Sequence, residues 1–156
     1  MRIKKIISGG QTGADRAALD WAIAQNIPHG GWCPAGRRAE DGVIPDCYNL
    51  QETDSKVYMK RTKLNIRDSD ATLIISLQSK LTGGSLFTQE YANKIGKPCL
   101  HVYPDNQWKE QIKTFFATYS IQILNVAGPR CSSAPNIEQF VYLILEETSR
   151  IKLTSV

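Results

Sequence analysis

Residues 71–77, ATLIISL, run for seven positions without a charge and without the polar–apolar alternation of a half-exposed strand. Such a run reads as a strand buried on both faces, which is the condition of a strand in a parallel sheet covered by helices. The rest of the chain meets that demand. Residues 3–8 are expected as a first strand. Residues 13–26 read as a helix, with Ala14, Ala17, Ala18, Trp21 and Ala22 at helical spacing, and 31–33 as a short extended piece. Further helices are expected at 54–66, 84–95, 106–118 and 135–150, and further strands at 97–103 and 121–127. Strands alternating with helices of this length predict one α/β domain over residues 1–156, with a mostly parallel open sheet between two helical layers. No internal repeat, low-complexity stretch or composition shift divides it.

In open parallel sheets, ligands bind beyond the carboxyl ends of the strands. The segments at those ends share a chemistry. Gly9, Gly10, Gln11, Thr12 and Gly13 follow the first strand; Pro34, Gly36, Arg37 and Arg38 follow the second. Thr82, Gly83, Gly84 and Ser85 come after the 71–77 strand, and Gly128, Pro129 and Arg130 after the 121–127 strand. Glycine-rich turns, hydroxyls and arginines therefore gather at one sheet edge. A strand-to-helix turn leaves unpaired N–H groups at the positive end of the helix dipole. Glycine lets an anion approach them without a Cβ in the way. Gly9, Gly10 and Gly13 fit that description, and Gly83 and Gly84 repeat it before a later helix.

Neither segment is a standard nucleotide motif. GGQTGAD lacks the Lys-Ser/Thr of a P-loop and does not fit GxGxxG. Thr12 and Asp15 have the spacing of a capping box. Arg16 stands in the first helical turn, where it could reach a bound phosphate or equally be a solvated surface charge. The loop over residues 34–50 is long for a compact α/β domain, and it is expected to form a lid or wall. Arg37 and Arg38 would meet an anion there bidentately. On this reading, Arg37→Ala weakens anion binding and leaves stability nearly unchanged.

Five stretches together, SGGQTGADRAALDWAI, GGWCPAGRRAEDGVIP, RTKLNIRDSDATLII, LTGGSLFT and LNVAGPR, occur in that order. In them the chain resembles the molybdenum-cofactor carrier proteins of the SLOG superfamily of Rossmann-like domains. The resemblance covers most of the chain, about residues 3–135. It implies a Rossmann-like domain, often homo-oligomeric, that holds the pterin-based molybdenum cofactor or a related phosphorylated ligand without transforming it. An acceptor molybdoenzyme is the partner such a role implies. Carried over residue by residue, the ligand side falls on Gly9, Gly10, Gln11, Thr12, Gly13, Gly36, Arg37, Arg38, Thr82, Gly83, Gly84, Ser85, Gly128 and Arg130. Ala71 stands where glycine is expected after DSD, and Cys131 follows GPR where a charge is usual.

The same superfamily also contains phosphoribohydrolases with the signature PGGxGTxxE, which one stretch of the chain partly resembles. Here the stretch is TGGSLFTQE, so Gly83, Gly84 and Glu90 align while the proline and the second Gly-Thr pair do not. This makes Glu90 the alternative catalytic residue, for cleavage of an N-glycosidic bond in a nucleoside monophosphate. The competing reading is a helix-surface glutamate. Arg16, Arg37, Arg38 and Arg130 are the cations that could assist it.

Other chemistry is thin. The four cysteines (Cys33, Cys47, Cys99, Cys131) form no CxxC pair, and with His29 and His101 they offer no zinc-type spacing. Cys33 is read as a small hydrophobe closing a turn, although a thiol there could approach a bound molybdenum. His101 is read as a half-buried strand residue. Trp32 and Trp108 could stack on a ring but more often fill a core. The basic start MRIKKIISGG has too short an apolar stretch for a signal peptide, and no run approaches a membrane span. A cytoplasmic protein with reduced thiols is expected. A net charge of +4 suits an anionic ligand. Without a long Lys/Arg stripe, single-stranded nucleic acid ranks last among ligands. The 135–150 helix is apolar nearly all round, at Phe140, Val141, Leu143, Ile144 and Leu145. It is therefore expected to be deeply buried or shared with another copy.

Overall fold

The computed structural model describes residues 3–151. In chain order its elements are β1 (Lys5–Ile7), α1 (Ala14–Ala24), β2 (His29–Gly30), β3 (Trp32–Cys33), β4 (Arg38–Ala39), β5 (Gly42–Val43) and β6 (Gln51–Glu52). There follow α2 (Tyr58–Arg67), β7 (Ala71–Ile75), α3 (Gly83–Lys94), β8 (Cys99–Val102), α4 (Trp108–Thr118), β9 (Ile123–Ala127) and α5 (Ile137–Ser149). Five strands form the central sheet, in the order β2-β1-β9-β7-β8, and every pairing in it is parallel. β9, the last strand in sequence, lies between β1 and β7, with Ile6 opposite Leu124 and Leu73 opposite Val126.

Burial explains why these residues make a sheet. All five residues of β7 are buried, as expected of a strand with helices on both faces. Ile6, Leu73, Ile75, Leu124 and Val126 join one core cluster with Ala14, Ala17, Ala18 and Trp21 of α1 and the buried faces of α4 and α5. α2 and α3 pack together on the other face. This is the three-layer Rossmann-like arrangement the sequence predicted. Helix α1 is tied to α5 by Trp21 Nε1, which donates to Glu146 Oε1 at 2.8 Å. Helix α5 is less uniformly apolar in its setting than expected. It buries Phe140, Val141, Ile144 and Leu145, but leaves Tyr142 and Leu143 exposed. Trp108 is a core residue in edge contact with Phe140. No helix is long and apolar enough to cross a membrane among the described residues.

Several boundaries differ from expectation for local reasons. The extended piece at 31–33 divides at Gly31, whose φ of 129° bends the chain past the Ser8 backbone. His29–Gly30 then completes the sheet edge, while Trp32–Cys33 leaves it to pair with β6. Helix α2 starts four residues late. Thr53 Oγ1 donates to Ser55 O, and Ser55 Oγ accepts from the Val57 amide, and these local bonds hold the chain out of the helix. Strand β7 stops at Ile75 because Ser76 turns its hydroxyl to Gln78 O.

The long loop is not a loose lid. It contains the β4–β5 hairpin, and beneath it Leu19, Cys33, Ala39, Ile44 and Tyr48 form a second small core. Ile44 is fully buried there, and burying a side chain of that size stabilises by about 1.5–3 kcal/mol. The loop is a packed wall anchored to α1.

Candidate functional site

The carboxyl ends of β1, β7 and β9 surround a cavity of about 350 Å³, within the range of small-molecule sites. Gly9 and Gln11 line it from β1, and Ala127 to Arg130 from β9. The start of α3 contributes Thr82, Gly83, Gly84 and Ser85, and α2 contributes Tyr58, Arg61 and Asn65. Gly9 and Gln11 of the first expected glycine segment therefore meet the second in one place, at the switch in strand order where such sheets bind ligands, while Gly10, Thr12 and Gly13 lie outside the lining.

The two segments play different parts. Most of the amides after β1 are consumed internally, while those of Gly13 and Asp15 make no hydrogen bond among the described residues. Gly10 N donates to Ser8 Oγ, Gln11 N to Asp15 Oδ2 at 3.2 Å, and Thr12 N to Gln11 Oε1 at 3.0 Å. Ala14 N, at the start of α1, donates to Pro129 O. The glycines here serve close packing. A Cβ on Gly13, whose φ is 80°, would lie 2.5 Å from Pro129 O and 2.7 Å from Cys131 N. One on Gly128 would collide with Ile75 O. The capping box does not form: Gly13 is the N-cap without a side-chain bond. Thr12 Oγ1 instead donates to Glu40 and accepts from the Cys131 amide.

The α3 segment is the open one. Thr82 is its N-cap, with no side-chain cap. Among the described residues, the amides of Gly83, Gly84 and Ser85 make no hydrogen bond. A Cβ on Gly84 would meet no atom within 4 Å, and Gly84 lines the cavity. Gly83 takes φ 56°, the left-handed region that glycine enters without strain. This leaves bare amides at the positive end of the α3 dipole.

Of the expected arginines, only Arg130 lines the cavity, and it also sits 3.8 Å from Glu40. Arg16 is held by Asp41, with Nη2 to Oδ1 at 2.7 Å, and donates to Gly10 O. Arg37 does not present itself to an anion. Its guanidinium faces the carbonyls of Ile44, Pro45, Tyr48 and Leu50 at 2.8–3.5 Å, and so closes the long loop. Gly36 and Arg38 lie outside the cavity lining. Arg38 is exposed, its guanidinium 5.4 Å from the Tyr58 ring. Glu90 is exposed on α3 and does not line the cavity. Cys33 is buried under the long loop, and burial pushes its thiol up. His101 is half-buried, its Nε2 lying 2.6 Å from Ser76 Oγ.

Two charged groups in the cavity were not expected there. Arg61, on α2, donates from Nη1 to Gly9 O at 2.6 Å and lies 3.5 Å from Asp15 Oδ2. Only 11% of its side chain is exposed. A Cβ on Gly9 would overlap this guanidinium, so Gly9 is the seat of Arg61. Asp15 is buried. Desolvation raises its pKa, against the lowering pull of Arg61 and of the Gln11 and Gly9 amides. Glu40 and Asp41 link the long loop to this region. Bonds from Ser132 and Thr12 hold Glu40 below the usual carboxylate range, and Arg16 does the same for Asp41.

The sequence profile of the Circularly permutated YpsA SLOG family matches residues 6–149. The chain is similar to a solved structure from Syntrophus aciditrophicus SB, named "Putative molybdenum carrier protein". The two share 50% identity over 94% of each chain, with a TM-score of 0.86. No curated protein matches. A profile match over nearly the whole chain, and a five-stranded parallel sheet with its cavity at the strand switch, lead to one conclusion: this chain belongs to the circularly permuted YpsA family of SLOG domains.

Proposed function

We propose that this protein binds and carries a phosphorylated heterocycle, molybdenum cofactor or a related pterin or nucleotide, in the cavity at the carboxyl ends of β1, β7 and β9. The observation that carries this reading is the α3 N-terminus. Three unpaired amides and the space at Gly84 open into the cavity, and that fits a phosphate group. The structural relative's name supports the carrier role. Arg61, fixed over Gly9, supplies the nearby permanent cation, and Arg130 a second, more exposed one. Tyr58 and Phe87 also line the cavity and add apolar ring surface beside a flat heterocycle. Arg16 and Arg37 serve as structural ties in this account, since their guanidinium groups are engaged within the chain. A cargo held without chemistry is passed on, so an acceptor enzyme belongs to the proposal.

The test is to purify the protein anaerobically from a host that makes molybdenum cofactor and to record native mass spectra. The protein is then denatured and oxidised, and pterin fluorescence and molybdenum are measured. Stoichiometric pterin with molybdenum is the expected result. A protein that carries neither pterin nor nucleotide, and that binds neither when offered it, overturns the proposal.

A further inference from the structure

Asp15 supplies the cavity's one acidic side chain among the described residues. The other polar groups around it are largely committed. Asn65 spends its amide on both backbone groups of Trp32, and Gln11 Oε1 accepts from Thr12 N and Glu40 N. Thr88 Oγ1 bonds to Gly84 O within α3. The contacts of Asp15 are weaker. Beside the Gly9 amide, its partners in the cavity wall stand at 3.2 Å (Gln11 N) and 3.5 Å (Arg61 Nη1), at or beyond the long end of a good hydrogen bond. An ionised carboxylate has about four acceptor sites and no donor. Burial pushes its carboxyl up despite these contacts, so the protein alone leaves its charge under-compensated.

The cavity thus has donors at the α3 amides and an acidic acceptor at Asp15. From this we infer that Asp15 selects the heterocycle: it accepts the paired N–H and NH2 donors of a 2-amino-oxo ring, the edge shared by guanine and pterin. This rests on the proposed binding of a phosphorylated heterocycle and names its class. Two parallel charge-assisted bonds form to such an edge. A 6-aminopurine instead brings a ring-nitrogen lone pair against the carboxylate, and a 6-oxopurine without the 2-amino group offers a single donor.

The experiment is equilibrium binding of guanosine, inosine and adenosine 5′-monophosphates and of a phosphorylated pterin to the full chain. Asp15→Asn is then measured with the same ligands. The expected order is guanosine or pterin tightest, inosine weaker and adenosine weakest, with at least a tenfold spread. In Asp15→Asn that spread collapses. If adenosine monophosphate binds wild type as tightly as the guanosine and pterin ligands, the inference is wrong, and this holds without the variant should it fail to fold. If none of the four binds, the binding proposal itself fails. The ranking of guanosine against pterin identifies which source of the shared edge the site prefers.

Discussion

Replacing Gly84 with alanine separates binding from folding with unusual clarity. Gly84 lies in the first turn of α3, its φ is outside the left-handed region, and the added methyl would meet no atom within 4 Å. Alanine is therefore compatible with the native backbone. It lowers the conformational entropy of the unfolded chain, which stabilises by about 0.4–1 kcal/mol. For a chain of this size that corresponds to a rise of roughly 2–4 °C in Tm per kcal/mol. The methyl also stands beside the unpaired amides of Gly83 and Ser85. If a phosphate sits there, it must move away from donors worth about 1.5–3 kcal/mol for a charged partner, a loss of about tenfold to a hundredfold in affinity. Differential scanning calorimetry and isothermal titration with a phosphorylated pterin measure the two effects on one sample. A protein that is more stable and binds more weakly is the expected result. Unchanged affinity would place the phosphate elsewhere, and a fall in Tm would refute the reading of open space at Gly84.

Arg37→Ala is expected to act on stability, because the guanidinium holds four loop carbonyls. A loss of about 2 kcal/mol, or roughly 4–8 °C in Tm, should appear in thermal melts, with ligand affinity of the folded protein nearly unchanged. Arg61→Met should weaken binding of a phosphorylated ligand at least tenfold by titration, since Arg61 is the cavity's fixed cation. Glu90→Gln should alter neither affinity nor melting, because Glu90 is exposed outside the cavity. Glu40 and Asp41 have depressed folded pKa values, so their contribution is present above the ordinary carboxylate pKa and is lost as pH falls through the folded one. Acid denaturation of Glu40→Gln should therefore show a shallower loss of stability below about pH 4.5 than wild type.

Much of the fold was legible because apolar patterning reports burial directly. The uncharged run at β7 and the alanine spacing of α1 specify a two-faced strand and a helix lying flat on a sheet. The order of strands was not legible, since periodicity carries no pairing information, and nothing in LNVA announces insertion between β1 and β7. The glycine segments located the site but not its working part. Both look alike as sequence, yet one spends the amides of Gly10, Gln11 and Thr12 on Ser8, Asp15 and Gln11 while the other leaves Gly83, Gly84 and Ser85 open. Arg61 was missed because KRTK reads as the solvated face of a helix. Its signal was its place at the head of RTKLNIRDSDATLII. Thr12 and Asp15 have capping-box spacing, but the approach of residues 129–131 to Gly13 gives Thr12 another partner, and Asp15 takes the Gln11 amide and Arg61.

The central claim is that a ligand phosphate sits on the α3 N-terminus, and amide chemical shifts read this most directly. Titrating isotope-labelled protein with a phosphorylated pterin should move the Gly83, Gly84 and Ser85 amide protons downfield, as hydrogen bonding to an anion requires, with Gly9 to Gly13 shifting less. If the largest downfield shifts fall on Gly10, Gly13 and Ala14, or if none of these amides responds at saturation, the account is contradicted.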